Sequence, residues 1–250
     1  MSNNSRASEL IGVAAEQWGL ITSRQAKAAA GATPQLLKRM ADTGVLERMH
    51  HGLYRLARFP HDEHLDKRIA WIALDPSRLA WERLDDEVPT GVLSHRTSAV
   101  VHRVGDMDAD DVELTATRRI RISIPEVTIH RGRLTRTDWQ VVDGMPTTTP
   151  ARTIGDLAAV STDVGHLASV VRDVLVRSLS STDDVVGALA DYAFDYGHRA
   201  LDGSGFLDAL IDQAGVPATT RELVQRANLA DLASSIAVDG DPAESDTEEE

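Results

Sequence analysis

Residues 31–58, GATPQLLKRMADTGVLERMHHGLYRLAR, carry the pattern that decides the fold at the start of the chain. Thr33 directly precedes Pro34, a pair typical of a helix N-terminus, because a threonine hydroxyl caps the first turn and a proline there loses no hydrogen bond. Leu37 and Met40 follow at helical spacing. The stretch therefore opens with a short amphipathic helix.

After this helix the spacing of the apolar residues changes. Gly44 ends the helical pattern, and Gly52 offers a turn between two short runs rich in apolar and β-forming residues. This arrangement predicts a two-stranded hairpin with His50 and His51 near its tip.

Two further helices are expected upstream. Apolar residues at helical spacing predict a first helix over residues 5–19, and Thr22 is placed to cap a second helix that closes at Gly31, with Leu20 and Ile21 as a short extended piece between them. Three helices followed by a hairpin describe a winged helix-turn-helix. In such a motif the last helix enters the major groove of DNA.

The third helix should present a polar face to solvent. With Leu37 and Met40 inward, Gln35, Lys38 and Arg39 point outward and are the candidates for contacts to base edges, whereas other basic side chains would neutralise phosphates. The predicted DNA-binding residues are Thr33, Gln35, Lys38, Arg39, Arg48, His50, His51, Arg55 and Arg58.

A simpler interpretation is that the basic side chains only form a solvated helix face. The distribution of charge along the chain favours DNA binding instead. The whole chain of 250 residues has a formal charge of −13. Residues 1–60 hold eight Lys and Arg against four acids, a charge of +4, so the remainder sums to −17. Basic side chains gathered at one end of an acidic chain favour contact with a polyanion.

Beyond residue 60 the pattern becomes that of a different domain. We expect an α+β fold overall, in which a winged helix-turn-helix (residues 1–60) precedes a mixed α+β domain with a helical C-terminal part (61–237) and a disordered acidic tail (238–250). A turn is expected at residues 201–206. Strands are predicted within residues 91–95, 111–117, 119–124, 127–132 and 139–149.

Composition excludes several classes of protein. The sequence has no cysteine, which excludes a disulfide framework, and it has no run of about 20 apolar residues that could cross a bilayer. Nothing at the start is typical of a secretory signal. The expectation is a cytoplasmic protein with no membrane partner.

Two short stretches invite a catalytic interpretation. His61 and His64 flank two acids, but they are three residues apart, and a zinc-binding helix of the protease type needs two histidines four apart. Ser94 and His95 are adjacent, so their side chains should point in different directions, and a helix cap explains Ser94 better than a nucleophile. We predict no enzyme activity, no cofactor and no metal site.

Arg152 and Asp156 lie four residues apart on a helix that Thr149 would cap and Pro150 would begin. At that spacing they can form a surface ion pair worth about 0.3 kcal/mol. Two interpretations stay open: a helix that simply packs its apolar side on the sheet, and a segment that takes part in function.

Three quoted segments together resemble the AbiEi antitoxins, regulators in type IV toxin-antitoxin systems. They are GLITSRQAKAAAGATPQLLKRMADTGVLERMHHGLYRL (19–56), GVLSHRTSAVVHRVG (91–105) and DGMPTTTPARTIGDLA (143–158). The resemblance implies an N-terminal domain that represses the promoter of its own operon and a C-terminal domain that opposes a nucleotidyltransferase-like toxin. It does not specify whether the toxin is contacted directly.

The resemblance also bears on oligomeric state and on competing functions. If the chain acts as a homodimer on double-stranded DNA, two half-sites arranged as inverted repeats are expected. Some relatives carry a nuclease-like extension, but after Arg172 the sequence has no acid cluster followed by a Glu-x-Lys. The main alternative is a protein-interaction module whose winged helix binds a protein partner, and an enzyme ranks third.

Overall fold

The computed structural model describes residues 3–215 and has a mixed α+β architecture with two separate sheets. The predicted fold class is confirmed. The predicted acidic tail and the residues just before it lie outside the described residues. The described residues form two compact units, one of residues 3–103 with 107–156, the other of Val104–Asp106 with residues 157–215.

The first elements follow the order of a winged helix. They are α1 (Asn3–Glu16), β1 (Leu20–Thr22), α2 (Ser23–Ala30), α3 (Pro34–Asp42), β2 (Leu46–His50) and β3 (Leu53–Leu56). The three strands form an antiparallel sheet in the order β1-β3-β2, so the hairpin of β2 and β3 is the wing.

Local chemistry fixes the ends of these helices as the sequence predicts. The Thr22 hydroxyl accepts a hydrogen bond from the Gln25 backbone N–H, and the Thr22 backbone N–H donates one to the side-chain oxygen of Gln25. The Thr33 hydroxyl accepts from the backbone N–H of Leu36 at 3.2 Å, with Pro34 in the first turn of α3. Each cap satisfies a backbone donor that the helix itself leaves without a partner.

The helices of the winged helix enclose an apolar core of their own. Its buried members come from α1, α2, α3 and the adjoining strands, and Tyr54 and Leu56 of the wing pack against them. The buried residues are Leu10, Ala14, Ile21, Ala26, Ala30, Ala32, Leu36, Leu37, Met40 and Leu46. The Tyr54 ring is half-buried against this core.

The second sheet has five strands and mixed pairing. Helices and strands of this part are α4 (Leu65–Leu74), α5 (Ala80–Leu84), β4 (Val92–Leu93), α6 (His95–His102), β5 (Val112–Ala116), β6 (Val127–Arg131), β7 (Trp139–Val142), β8 (Met145–Thr148) and α7 (Pro150–Ala159). The order is β6-β5-β4-β8-β7; β5 runs parallel to β6 and β4 to β8, while the other two pairs are antiparallel.

One predicted strand is wrong. Residues 119–124 lie outside the strands, because β5 and β6 pair in parallel and this segment belongs to the connection that carries the chain from the end of β5 back to the start of β6. Its alternating Ile120, Ile122 and Ile124 pack against the core instead. Alternating apolar residues indicate that one side of a segment is buried. A loop that covers a core has a buried side as well, so the pattern does not distinguish it from a strand.

The winged helix and the second sheet share part of their core within the first unit. Leu20 and Leu53 belong to the same buried cluster as Trp71, Leu93 and Met145. Buried hydrogen bonds reinforce the contact. The Gln25 amide donates to the carbonyl of Arg78 at 2.7 Å, and the backbone N–H of Ala80 donates to the side chain of Gln17 at 3.2 Å. The domain border predicted at residue 60, which implies that residues 1–60 can fold by themselves, stays a prediction.

The second unit is helical over its described part, with α8 (Val164–Val176), α9 (Thr182–Ala190) and α10 (Gly203–Gln213). The turn predicted at residues 201–206 is wrong from Gly203 onward, because Asp202 caps α10 there by accepting from the backbone of Gly205. A Cβ on Gly203 would lie 2.2 Å from the carbonyl oxygen of Val186, so this glycine allows close packing of α9 and α10. Among the described residues, no helix is long and apolar enough to cross a membrane.

Candidate nucleic-acid interface

The outward side of α3 is polar and open to solvent. Leu37 and Met40 are 2% and 5% exposed, whereas Gln35, Lys38 and Arg39 are exposed. We call these three exposed residues the recognition face. Its position on the last helix before the wing is that of a helix able to enter a major groove.

The recognition face carries one ion pair. Lys38 Nζ lies 2.7 Å from Asp42 Oδ2, but the two side chains are 76% and 61% exposed. A solvated pair four residues apart on a helix contributes only about 0.3–0.5 kcal/mol. Such a pair yields readily to a phosphate or a base, so it does not remove Lys38 from the candidate interface.

The wing presents further polar side chains. Arg48, His51 and Arg58 are exposed, and His50 is half-buried. The Arg48 guanidinium lies 3.1 Å from His51 Nδ1, which draws the end of β2 and the turn together. Gly52 has φ of +71°, a conformation that favours glycine and forms the tip of the hairpin.

Arg55 has a different environment from the other predicted basic residues. Its side chain is 13% exposed and lies 3.5 Å from a carboxylate oxygen of Glu47. It also donates to the carbonyls of Phe59 and Pro60 at 2.9 and 3.0 Å. These contacts fasten β3 to the segment that leaves the wing, so Arg55 positions the wing. Thr33 likewise uses its hydroxyl within the fold, as the cap of α3.

Sequence reasoning missed two arginines beside the wing. Arg24 of α2 and Arg121 line one cleft together with His50 and His51. Arg121 is distant in sequence and belongs to the segment wrongly predicted as a strand. A cluster of basic residues at 118–121 was the available signal, but its position next to the wing depends on the tertiary fold.

Two of the three segments that carried the family resemblance meet on the second sheet. Ser98 of α6 and Thr148 and Thr153 around the start of α7 are fully buried and form a mutual set of hydrogen bonds. Their hydroxyl oxygens are 2.7, 2.8 and 2.9 Å apart. We call these three residues the hydroxyl cluster. It joins α6, β8 and α7.

The predicted pair of Arg152 and Asp156 forms, but not at the surface. Arg152 Nε donates to Asp156 Oδ1 at 2.8 Å, and a second guanidinium nitrogen lies 3.2 Å from Asp138 Oδ1. The Asp156 side chain is 9% exposed, so the expected surface pair is corrected to a largely buried one. Burial raises the pKa of Asp156, and its Oδ2 has no hydrogen-bond partner.

Ser94 and His95 do not diverge as the sequence suggested. His95 has φ of +52°, and this left-handed backbone brings its Nδ1 to 2.8 Å from Ser94 Oγ. Ser94 makes no side-chain cap, so that interpretation is also wrong; its hydroxyl instead accepts from Thr115 at 2.9 Å. Burial lowers the pKa of His95 to about 4.

His95 faces two other groups that can bind a metal. Its ring stacks on that of His130 with centroids 3.7 Å apart, and His130 Nε2 lies 2.8 Å from Glu113 Oε2. One ligand atom from each of the three residues lies within 4.8 Å of the others. In the stretch around residue 61, His64 pairs with Asp143 and Asp62 pairs with Arg68.

The comparisons with known proteins concern the winged helix. Residues 9–57 match the model of a family described as "Transcriptional regulator, AbiEi antitoxin". The resemblance inferred from the sequence is confirmed over this segment, and it supports a regulatory role. A comparison with curated proteins gives no match.

Proposed function

We propose that the chain is a DNA-binding repressor and antitoxin of a toxin-antitoxin operon, which represses its own promoter and opposes a nucleotidyltransferase-like toxin. The observation that carries the proposal is the recognition face, an exposed polar side of α3 beside a basic wing. It lies inside the segment that matches a family of antitoxin-type regulators.

Recognition follows from the chemistry of the exposed side chains. Gln35 can bind both polar atoms of an adenine edge, and Lys38 and Arg39 can donate to the acceptors of guanine in the major groove. Arg48 and Arg58 would neutralise phosphates on either side and set the position of α3. Arg24 and Arg121 would extend the basic surface next to the wing.

The uneven distribution of charge would orient the protein as it approaches DNA. Residues 1–60 carry +4, whereas the rest of the chain carries −17. A DNA duplex would attract the first part and repel the second, so the protein would approach through its winged helix. Repression then requires only occupancy of the promoter and no catalytic step or cofactor. A cytoplasmic homodimer would occupy two half-sites arranged as inverted repeats.

The first experiment measures binding of the purified full chain to the DNA upstream of its own gene. Nuclease footprinting should show protected half-sites there and none on unrelated DNA of equal length, and the same segment should repress a reporter when the protein is present. If the protein protects no upstream site, the repressor part of the proposal is wrong. Binding of a protein partner by the same face would then support the protein-interaction alternative.

The antitoxin part needs a separate experiment, which expresses the neighbouring toxin gene and scores growth. Because Leu20 and Leu53 contribute to the core of the second sheet, full-length variants are better suited than fragments. Growth should be rescued by the full chain and by Lys38→Ala/Arg39→Ala alike, since the proposal assigns neutralisation to residues 61–237. Failure of the full chain to rescue growth would contradict the antitoxin role.

A further inference from the structure

The His95, Glu113 and His130 side chains converge at neighbouring positions of the second sheet. In the order β6-β5-β4, His130 lies on β6 and Glu113 on β5, while His95 is the first residue of α6, two residues after the end of β4. His130 is opposite Thr115 in the parallel pair, and Glu113 is two residues before Thr115, so both point to the same face. A sheet holds such groups more rigidly than a loop does.

From this geometry we propose that His95, Glu113 and His130 bind a divalent transition metal, with Zn²⁺ as the best fit. Two histidines and one glutamate are a ligand set that zinc sites use with an open fourth position. Imidazole nitrogens favour zinc and its neighbours in the transition series over magnesium or calcium. We name these residues the metal triad.

Metal binding requires the ligand atoms to move closer together and the His130 ring to change its orientation. The ligand atoms lie within 4.8 Å of one another. With zinc-to-ligand bonds of about 2.0–2.1 Å, tetrahedral ligands stand roughly 3.4 Å apart. The His130 side chain is 26% exposed, so its ring can rotate away from the stack with His95 and turn a nitrogen towards the metal. Solvent on that side would supply the fourth ligand.

His95 is already oriented for such a role. Its Nδ1 is held at 2.8 Å by Ser94 Oγ, which itself accepts from the Thr115 hydroxyl, so Nε2 is the nitrogen left for the metal. Histidine ligands are commonly fixed in this way by a hydrogen bond to the second ring nitrogen.

The backbone gives an independent reason to assign a role here. His95 is buried and adopts a left-handed conformation, which is uncommon for a residue other than glycine. Strain of this kind concentrates at functional sites, where the surrounding structure maintains it. Arg152, whose positive charge acts on His95, is paired with Asp138 and Asp156, which offsets its repulsion of a cation.

The test uses the tag-free full chain, stripped with a chelator and dialysed, since a histidine tag would bind zinc itself. Titration with Zn²⁺ against a chromophoric chelator should show about one ion per chain, and Co²⁺ should give the intense visible absorption of a tetrahedral site. Zn²⁺ binding by the wild-type chain no tighter than that of folded His130→Ala, or an octahedral Co²⁺ spectrum, would overturn the proposal.

Variants separate the triad from adventitious surface binding. His130→Ala and Glu113→Gln should each weaken zinc binding by more than about 100-fold, and Ser94→Ala, which removes the orienting hydroxyl, by about 10–100-fold. His166 is a half-exposed histidine of the second unit, and His166→Ala should bind zinc as the wild type does. Circular dichroism checks that each variant is folded. Wild-type affinity in folded His130→Ala would exclude the triad.

Discussion

The recognition face and the hydroxyl cluster both gather polar side chains, yet they differ in what surrounds each group. Gln35, Lys38 and Arg39 are exposed, whereas the hydroxyls of the cluster are fully buried and bonded to one another. An exposed polar group is available to a partner and contributes little to folding, while a buried, satisfied one stabilises the fold and is closed to partners. Substitutions should therefore change DNA affinity in the first region and stability in the second.

The largest effect is expected from Lys38→Ala/Arg39→Ala. If both side chains read base edges, each should cost about 1–3 kcal/mol for the preferred site, whereas phosphate contacts would weaken binding to all sequences alike. The melting temperature should hardly change, because both positions are exposed. Fluorescence anisotropy on upstream and unrelated DNA measures the difference.

A matched control removes the same charge elsewhere. Arg133→Ala/Arg199→Ala also takes away two exposed arginines but lies outside the winged helix. It should leave upstream affinity close to that of the wild type. Equal affinity of the two double variants would exclude α3 from the interface.

Tyr54→Ala should act on stability. The ring is half-buried and packs against the core of the winged helix, so truncation should cost about 2 kcal/mol of the free energy of unfolding. Thermal melting measures the loss, and Tyr54→Phe, which keeps the ring, should melt near the wild type. Lost DNA binding with an unchanged melt would instead make Tyr54 a DNA contact.

Thr153→Val tests the hydroxyl cluster. Valine keeps the shape of threonine but leaves Ser98 and Thr148 without one hydrogen-bond partner, a cost of about 1–2 kcal/mol. Chemical denaturation measures the loss, and Thr137→Val at an exposed hydroxyl is the control. Upstream DNA affinity should stay the same. If DNA affinity fell without a loss of stability, the hydroxyl cluster would contribute to DNA binding, and the proposed difference between it and the recognition face would be wrong.

Asp42→Ala should have the smallest effect. It removes the exposed ion pair with Lys38, so the free energy of unfolding should fall by about 0.3–0.5 kcal/mol at most. DNA affinity should be unchanged or slightly higher, because an acid next to the recognition face is lost. A large loss of stability would mean that this pair is part of the core packing of α3.

Local patterns were sufficient to predict the recognition face but not the second sheet's polar groups. The cap at Thr33 and the inward side of α3 depend on residues a few positions apart, so sequence spacing describes them fully. Ser98 and Thr153 meet across more than fifty residues, and only the sheet brings them together. Strand and helix patterns marked both segments, but nothing in the spacing indicated that these hydroxyls meet.

The contacts of two other residues also depend on backbone conformation. His95 was expected to point away from Ser94, but its Nδ1 lies 2.8 Å from Ser94 Oγ. Arg55 was predicted to contact DNA from its place on the wing; this stays a prediction, and the structure adds that its guanidinium donates to the carbonyls of Phe59 and Pro60. Residue type and spacing alone did not indicate these contacts.

The central claim is that a basic winged helix on an acidic chain binds DNA through phosphates and bases, and the salt dependence of binding tests it most directly. Each phosphate contact should contribute about −0.9 to the slope of log K against log salt concentration. With Arg24, Arg48, Arg58 and Arg121 against phosphates, the account predicts a slope of roughly −3 to −4 for each bound chain. A slope near zero, or no upstream binding at low salt, would contradict it.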